Sequence, residues 1–189
     1  MPFTGRGLIR GDALARYLNQ QLGTRNIESS RIPLGITATR LEDGQGVVFR
    51  TGDLATAVRA SSAVPGVFEP VTINGRDHVD GGVLSPVPVD AARGMGGEVI
   101  LAVDISSRPE DVEASNVLKI LLKTSSIMGK RISQYELKQA TVVVTPKLDG
   151  ISSIDFANRR RAIEAGRQAM RQALPALRKA LAPRPDAGT

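Results

Sequence analysis

The chain has 189 residues, 41% hydrophobic and 23% charged, a length and composition that suit one soluble globular domain with a real core. It has no cysteine, which excludes a disulfide framework and a thiolate metal site, and no stretch approaches the roughly 20 apolar residues of a membrane span. The net charge of +6 is unevenly placed: from 155 to 189, eight basic residues stand against three acidic ones. That segment reads first as a solvated face, and second as an attraction for phosphate-bearing surfaces such as anionic lipid.

The opening residues, Met1-Pro2-Phe3-Thr4-Gly5-Arg6, lack the apolar core of a signal peptide, so a cytoplasmic protein, peripheral at most to a membrane surface, is expected. The first helix is predicted from Asp12 to Leu22. Asp12 is its expected cap, Leu14, Tyr17, Leu18 and Leu22 share one face, and Gly23 stops it. Ile32 to Arg40 reads as a buried strand, Glu42-Asp43-Gly44 as a turn, and Val47-Val48-Phe49 as the returning strand of a hairpin. Asp53 then caps a short helix running through Arg59, with Leu54, Ala57 and Val58 inward.

Val67 to Ile73 and His78 to Asp80 are predicted as short strands about an Asn74-Gly75 turn, a strong hairpin signal. Pro86 and Pro88 keep the chain extended before a helix from Val89 to Arg93. Glu98 to Asp104 and Thr141 to Thr145 are nearly continuous apolar runs, the pattern of parallel strands covered on both faces. Val112 to Ala140 between them is predicted helical with a break near Gly129. The last helix starts near Asp155, carries Phe156, Ile163, Gly166, Met170, Ala173 and Leu177 at helical spacing, and is interrupted at Pro175. Residues 1–182 form the predicted domain and 183–189 a frayed tail. Strands alternating with helices indicate an α/β sandwich with a mostly parallel sheet.

The chemistry centres on Asp80-Gly81-Gly82. Alone, Asp-Gly-Gly reads as a turn, because Asp and Gly are common turn formers. The surrounding order adds weight: Leu54 to Ser61 as a helix, a turn at Pro65 within Ala60-Ser61-Ser62-Ala63-Val64-Pro65-Gly66-Val67-Phe68-Glu69-Pro70, the hairpin, then Val83-Leu84-Ser85-Pro86-Val87-Pro88-Val89 and the apolar strand ending at Asp104. From about Gly7 to about Leu181 this order resembles the second half of the patatin-like phospholipase family, in its bacterial, neuropathy-target-esterase-like branch. The resemblance implies a three-layer α/β sandwich with a mostly parallel central sheet. It implies a Ser-Asp dyad that hydrolyses lipid esters without metal or cofactor, with Asp80 as general base and Gly81 and Gly82 as the motif glycines.

The family's nucleophile elbow, Gly-x-Ser-x-Gly, is absent from the 189 residues. The elbow turn is too tight for side chains two residues before and after the serine, and no serine here has glycine at both places. Ser152 has Gly150 before it but Ile154 after it, while Ser61, Ser62 and Ser85 have neither. The glycine-rich oxyanion loop is absent too, so the N-terminal strands of the fold are expected to be missing and the chain alone to be inactive. A non-catalytic scaffold or membrane-surface module with the same fold is the alternative. Self-association through an incomplete sheet is a further expectation.

The remaining candidates carry less. His78 lies two residues before Asp80, about 6–7 Å away along a strand with a parallel side chain, a poor geometry for a base and its orienting acid. It reads as a surface or hairpin residue. Gly94-Met95-Gly96-Gly97 precedes a strand instead of following one, so it fails as a dinucleotide loop, and Gly5-x-Gly7 has no strand before it. Asp104 reads as a strand-end cap. Asp43, Asp149 and Asp155 do not cluster as metal ligands. Nucleic acid is a poor partner, since 3% aromatic content leaves few stacking platforms.

Overall fold

A computed structural model describes residues 7, 9–106, 115–151 and 156–183. The chain divides into two compact units, Met1–Ala91 and Ala92–Thr189.

The first unit holds a four-stranded sheet in the order β2-β1-β4-β3, antiparallel throughout. β1 is Ile36–Arg40, β2 Gly46–Phe49, β3 Val71–Ile73 and β4 Arg76–Asp80. The β1–β2 hairpin pairs Ile36 with Phe49 and Thr39 with Gly46, close to the reading from sequence, although β1 starts four residues later than expected. Its loop is pinned by a charge-assisted contact between Arg40 and Asp43, which holds the Asp43 carboxyl down at about 2 and raises Arg40. Glu42 accepts the Asp77 N–H at 2.8 Å, and its pKa is lowered chiefly by that bond. The β3–β4 hairpin turns at Asn74 and Gly75, both at positive φ (50° and 75°), as a type I′ turn requires.

Two helices accompany this sheet: the second packs on it and the first packs on the second. α1 (Asp12–Leu22) is present, but Asp12 is not its cap: Gly11, in the left-handed region at φ 73°, holds that position with no side-chain bond. The Asp12 carboxylate instead meets Arg59 and Arg10, each at 3.1 Å. α2 (Leu54–Ser61) is capped as expected, the Asp53 carboxylate accepting the Thr56 N–H at 2.7 Å. Its Ala55, Ala57 and Ala60 are buried. Ala60 joins Ala38, Ala63 and Val71 in a cluster closed by Phe49, Phe68 and Ile73, while Ala57 joins Ile27 and Ile36. These small residues let helix and sheet backbones approach closely, so the core is tight without being bulky.

α3 (Val89–Gly94) spans the division between the units. In the second unit β5 (Leu101–Val103) and β6 (Val142–Val144) pair in parallel, joined through α4 (Val117–Glu136), and α5 (Arg159–Leu181) packs against β6. α4 runs through Gly129 without the expected break, and α5 keeps its helical course through Pro175. The α/β class holds. The mostly parallel sheet holds only for the β5–β6 pair, because the larger sheet is built from hairpins, whose short turns can join only antiparallel neighbours.

Candidate active site

Asp80 ends β4, a strand flanked on both sides by β1 and β3, opposite Ala38 of β1. Three backbone-directed bonds fix it. Its N–H donates to the Ala63 carbonyl at 3.0 Å, its carbonyl accepts the Thr39 hydroxyl at 3.1 Å, and its carboxylate Oδ1 accepts the Gly82 N–H at 2.7 Å. The first bond brings Asp80 beside the Ser62-Ala63 exit of α2, so the two sequence stretches that carry the resemblance meet in space.

The glycines have separate reasons to be glycine. A Cβ on Gly81 would stand 2.7 Å from both the carbonyl oxygen and the hydroxyl of Thr37 and 2.9 Å from its carbonyl carbon. Gly81 is therefore pressed against the β1 backbone. A Cβ on Gly82 would meet Asp80 Oδ1 at 3.0 Å, so glycine there leaves the carboxylate in place over its N–H donor. Residues Gly81–Val83 form one 3-10 turn, tightened by the Leu84 and Ser85 N–H groups on the Gly81 carbonyl at 3.2 and 2.9 Å. The chain thus leaves the sheet at once, and the half-buried carboxylate stands at the corner.

Burial raises the Asp80 pKa, because desolvation disfavours the carboxylate; the Gly82 N–H opposes this by favouring it. One oxygen is held by that donor and the other accepts no hydrogen bond among the described residues. A carboxylate oriented through one oxygen, with its proton affinity raised, is suited to taking a proton from a neighbouring hydroxyl.

His78 is not a surface residue. It is 4% exposed, inside the sheet between Val71 and Arg40, its ring edge-on to Phe49 at 5.2 Å. Its Nδ1 has no hydrogen-bond partner, so it is not oriented by a carboxylate. Its partner Val71 belongs to the cluster that Ala60 of α2 closes and Phe49 covers its ring, so it lies on the covered face of the sheet, which the sequence does not display.

The other candidates resolve as local structure. Gly94 to Gly97 ends α3: Gly96 adopts φ 94° and the Gly97 N–H returns to the Ala92 carbonyl at 3.1 Å. Gly7 lies against the Phe68–Glu69 backbone, where a Cβ would come within 2.5 Å of the Glu69 nitrogen. Asp104 closes the β5 end, its carboxylate accepting the Ser106 N–H at 3.0 Å. Asp155 and Ser152 lie outside the described residues, and no metal-holding group of three His, Cys, Asp or Glu occurs among those described. A cavity of about 550 Å³ lies at the entry to β1, lined by Ile27, Pro33, Leu34, Arg31 and Arg50 among others; Asp80 is not part of it. No helix among the described residues is long and apolar enough to cross a membrane.

The patatin-like phospholipase family model matches residues 2–93, which coincide closely with the first compact unit and include Asp80, Gly81 and Gly82. An uncharacterised NTE family protein of Mycobacterium tuberculosis is 35% identical over 100 residues, 53% of this chain and 28% of that protein. A second uncharacterised NTE family protein of the same organism is 27% identical over an alignment that takes in 89% of this chain and 33% of that protein. Patatin-like phospholipase domain-containing protein 6 of Mus musculus is 29% identical over 105 residues, 54% of this chain and 8% of that protein. The chain spans a third or less of the length of these relatives. The Asp-Gly-Gly corner, the matched hairpins and these relatives agree, and together they support a patatin-like phospholipase family, NTE branch, for this chain.

Proposed function

We propose that the chain supplies the general-base half of a serine acyl hydrolase that cleaves carboxylic esters of phospholipids or lysophospholipids, with Asp80 as the base. The carrying observation is the Asp80 corner: a half-buried carboxyl raised by desolvation, fixed through one oxygen by Gly82 and placed beside the Ser62-Ala63 segment. In the reaction Asp80 takes the proton of an attacking serine hydroxyl and returns a proton to the leaving alcohol. Gly82 keeps the carboxylate aimed while its charge changes. Metal and cofactor have no role in this scheme.

No serine in the 189 residues has the glycine spacing of an elbow, so the nucleophile comes from a segment that joins this one in a longer protein. The 189-residue chain then gives no turnover of a short-chain p-nitrophenyl ester above buffer and no labelling by a fluorophosphonate. A protein that carries this segment together with a Gly-x-Ser-x-Gly turn labels, and Asp80→Asn lowers its turnover by about 100-fold or more. A longer protein that carries the elbow and neither labels nor hydrolyses would instead support a non-catalytic scaffold. Turnover by the 189-residue chain that Asp80→Asn abolishes would show that a serine within it serves.

A further inference from the structure

α4 turns its apolar side outward. The buried residue of Val117–Glu136 is Ser133, whose hydroxyl donates to the Gly129 carbonyl and lies 3.2 Å from that of Ser106. Opposite it, Val117, Leu121, Met128 and Tyr135 are 75%, 59%, 57% and 57% exposed. At about 100° per residue these four fall within a stripe about 40° wide. Ile120 and Ile127, also exposed, widen it on one side. An ordinary surface helix buries such a stripe and exposes its serines.

Up to its last residue, Glu136, the charges on the helix are of one sign. Lys119, Lys123, Lys130 and Arg131 lie between Val117 and Tyr135, and that stretch contains no Asp or Glu. Arg131 stands within the exposed stripe, 6.0 Å from the Tyr135 ring, and Lys123 stands at its margin. A twofold pairing of this face with a second copy would bring the same cations together and supply no carboxylate between them. An anionic lipid surface satisfies both features, since it accepts large apolar side chains below the head groups and attracts the cations beside them.

We propose that α4 is the segment with which this chain lies on an anionic bilayer. Val117, Leu121, Met128 and the two isoleucines enter the boundary between head groups and acyl chains, while Lys123 and Arg131 meet the lipid anions. The proposal is independent of ester hydrolysis and of Asp80.

Flotation of the 189-residue chain with vesicles tests it. The chain floats with phosphatidylcholine vesicles containing phosphatidylglycerol and not with phosphatidylcholine alone, and raised salt weakens the association. Leu121→Glu with Met128→Glu lowers the bound fraction by more than about tenfold. Lys123→Gln or Arg131→Gln lowers it about fivefold each. Leu121, Met128 and Arg131 are exposed and Lys123 is half-buried, so far-UV circular dichroism and melting stay close to those of the parent chain, and Leu121→Gln serves as a milder second probe. Binding to both vesicle types alike, or none, overturns the proposal. So does undiminished flotation of the double glutamate variant, or binding lost only when Arg159, Arg160 and Arg161 are neutralised, which would move the contact to α5. A dimer in light scattering that Leu121→Glu dissociates, without vesicle binding, assigns the face to a second copy and also overturns it.

Discussion

Gly81→Ala tests the structural reading of the Asp-Gly-Gly corner directly. The added Cβ would lie 2.7 Å from two oxygens of Thr37 and 2.9 Å from its carbonyl carbon. Two of these three atoms are backbone, so rotation of a side chain cannot relieve the clash. Either β1 or the corner must move, and the nearest bonds at risk are the Ala38–Asp80 pairing and the Thr39 hydroxyl on the Asp80 carbonyl. Overpacking of this kind costs about 1–3 kcal/mol and a weakened hydrogen bond about 1 kcal/mol more, against a gain of about 0.4–1 kcal/mol from restricting the unfolded chain. The net loss is about 2–3 kcal/mol, which lowers the melting temperature of a cooperative unit of this size by about 10–20 °C. Gly82→Ala is the contrast. Its Cβ meets only the tip of the Asp80 side chain, which can rotate away, so stability falls by about 1 kcal/mol or less while the carboxylate is displaced. Thermal unfolding followed by far-UV circular dichroism separates the two. A Gly81→Ala protein that melts within about 2 °C of the parent, or a Gly82→Ala protein that melts lower than it, would refute the close approach to Thr37.

Three further outcomes follow from the same geometry. Because folding raises the Asp80 pKa, the wild-type corner is relatively most stable below the unfolded aspartate pKa and loses that advantage as pH rises through the folded value. Asp80→Asn keeps an oxygen for the Gly82 N–H and removes the ionisation, so it melts at the same or a higher temperature than the parent near pH 7, and the difference closes on acidification; a variant that melts clearly lower at pH 7 argues against a desolvated carboxylate. His78→Ala empties a buried site against Phe49 and costs about 2 kcal/mol, yet in an elbow-bearing protein it retains most of the esterase activity, whereas loss as complete as that of Asp80→Asn would restore a histidine base. The isolated chain self-associates at high concentration, because the two-stranded β5–β6 sheet has unpaired outer edges among the described residues and leaves Leu101, Val103 and Val143 exposed; a monodisperse monomer in light scattering that binds no hydrophobic dye would show that the second unit closes its own core.

What the sequence by itself determined is what a few neighbouring residues can decide. Asp53 four residues ahead of Ala57 makes a capped helix because its carboxylate needs only the Thr56 N–H. Asn74-Gly75 makes a tight hairpin because both residues tolerate positive φ. Asp80-Gly81-Gly82 marks a corner at a strand end for the same local reason, and the order of elements around it was enough to reveal the family. The tertiary structure decided what depends on distant partners. Asp12 looked like a cap, but Arg59, 47 residues away, draws its carboxylate into an ion pair. His78 reads as a surface or hairpin residue; it lies in the β3–β4 hairpin, but Phe49, 29 residues away, covers its ring. The apolar runs at 101–103 and 142–144 specified strands, while the hairpins set the larger sheet antiparallel, since direction follows from the connection and not from hydrophobicity. The raised pKa of Asp80, the need for glycine against Thr37 and the outward apolar face of α4 all arise from which atoms lie across the gap after folding. Spacing along the chain can place residues on one face, but burial, desolvation and steric contact are properties of the neighbours that face meets.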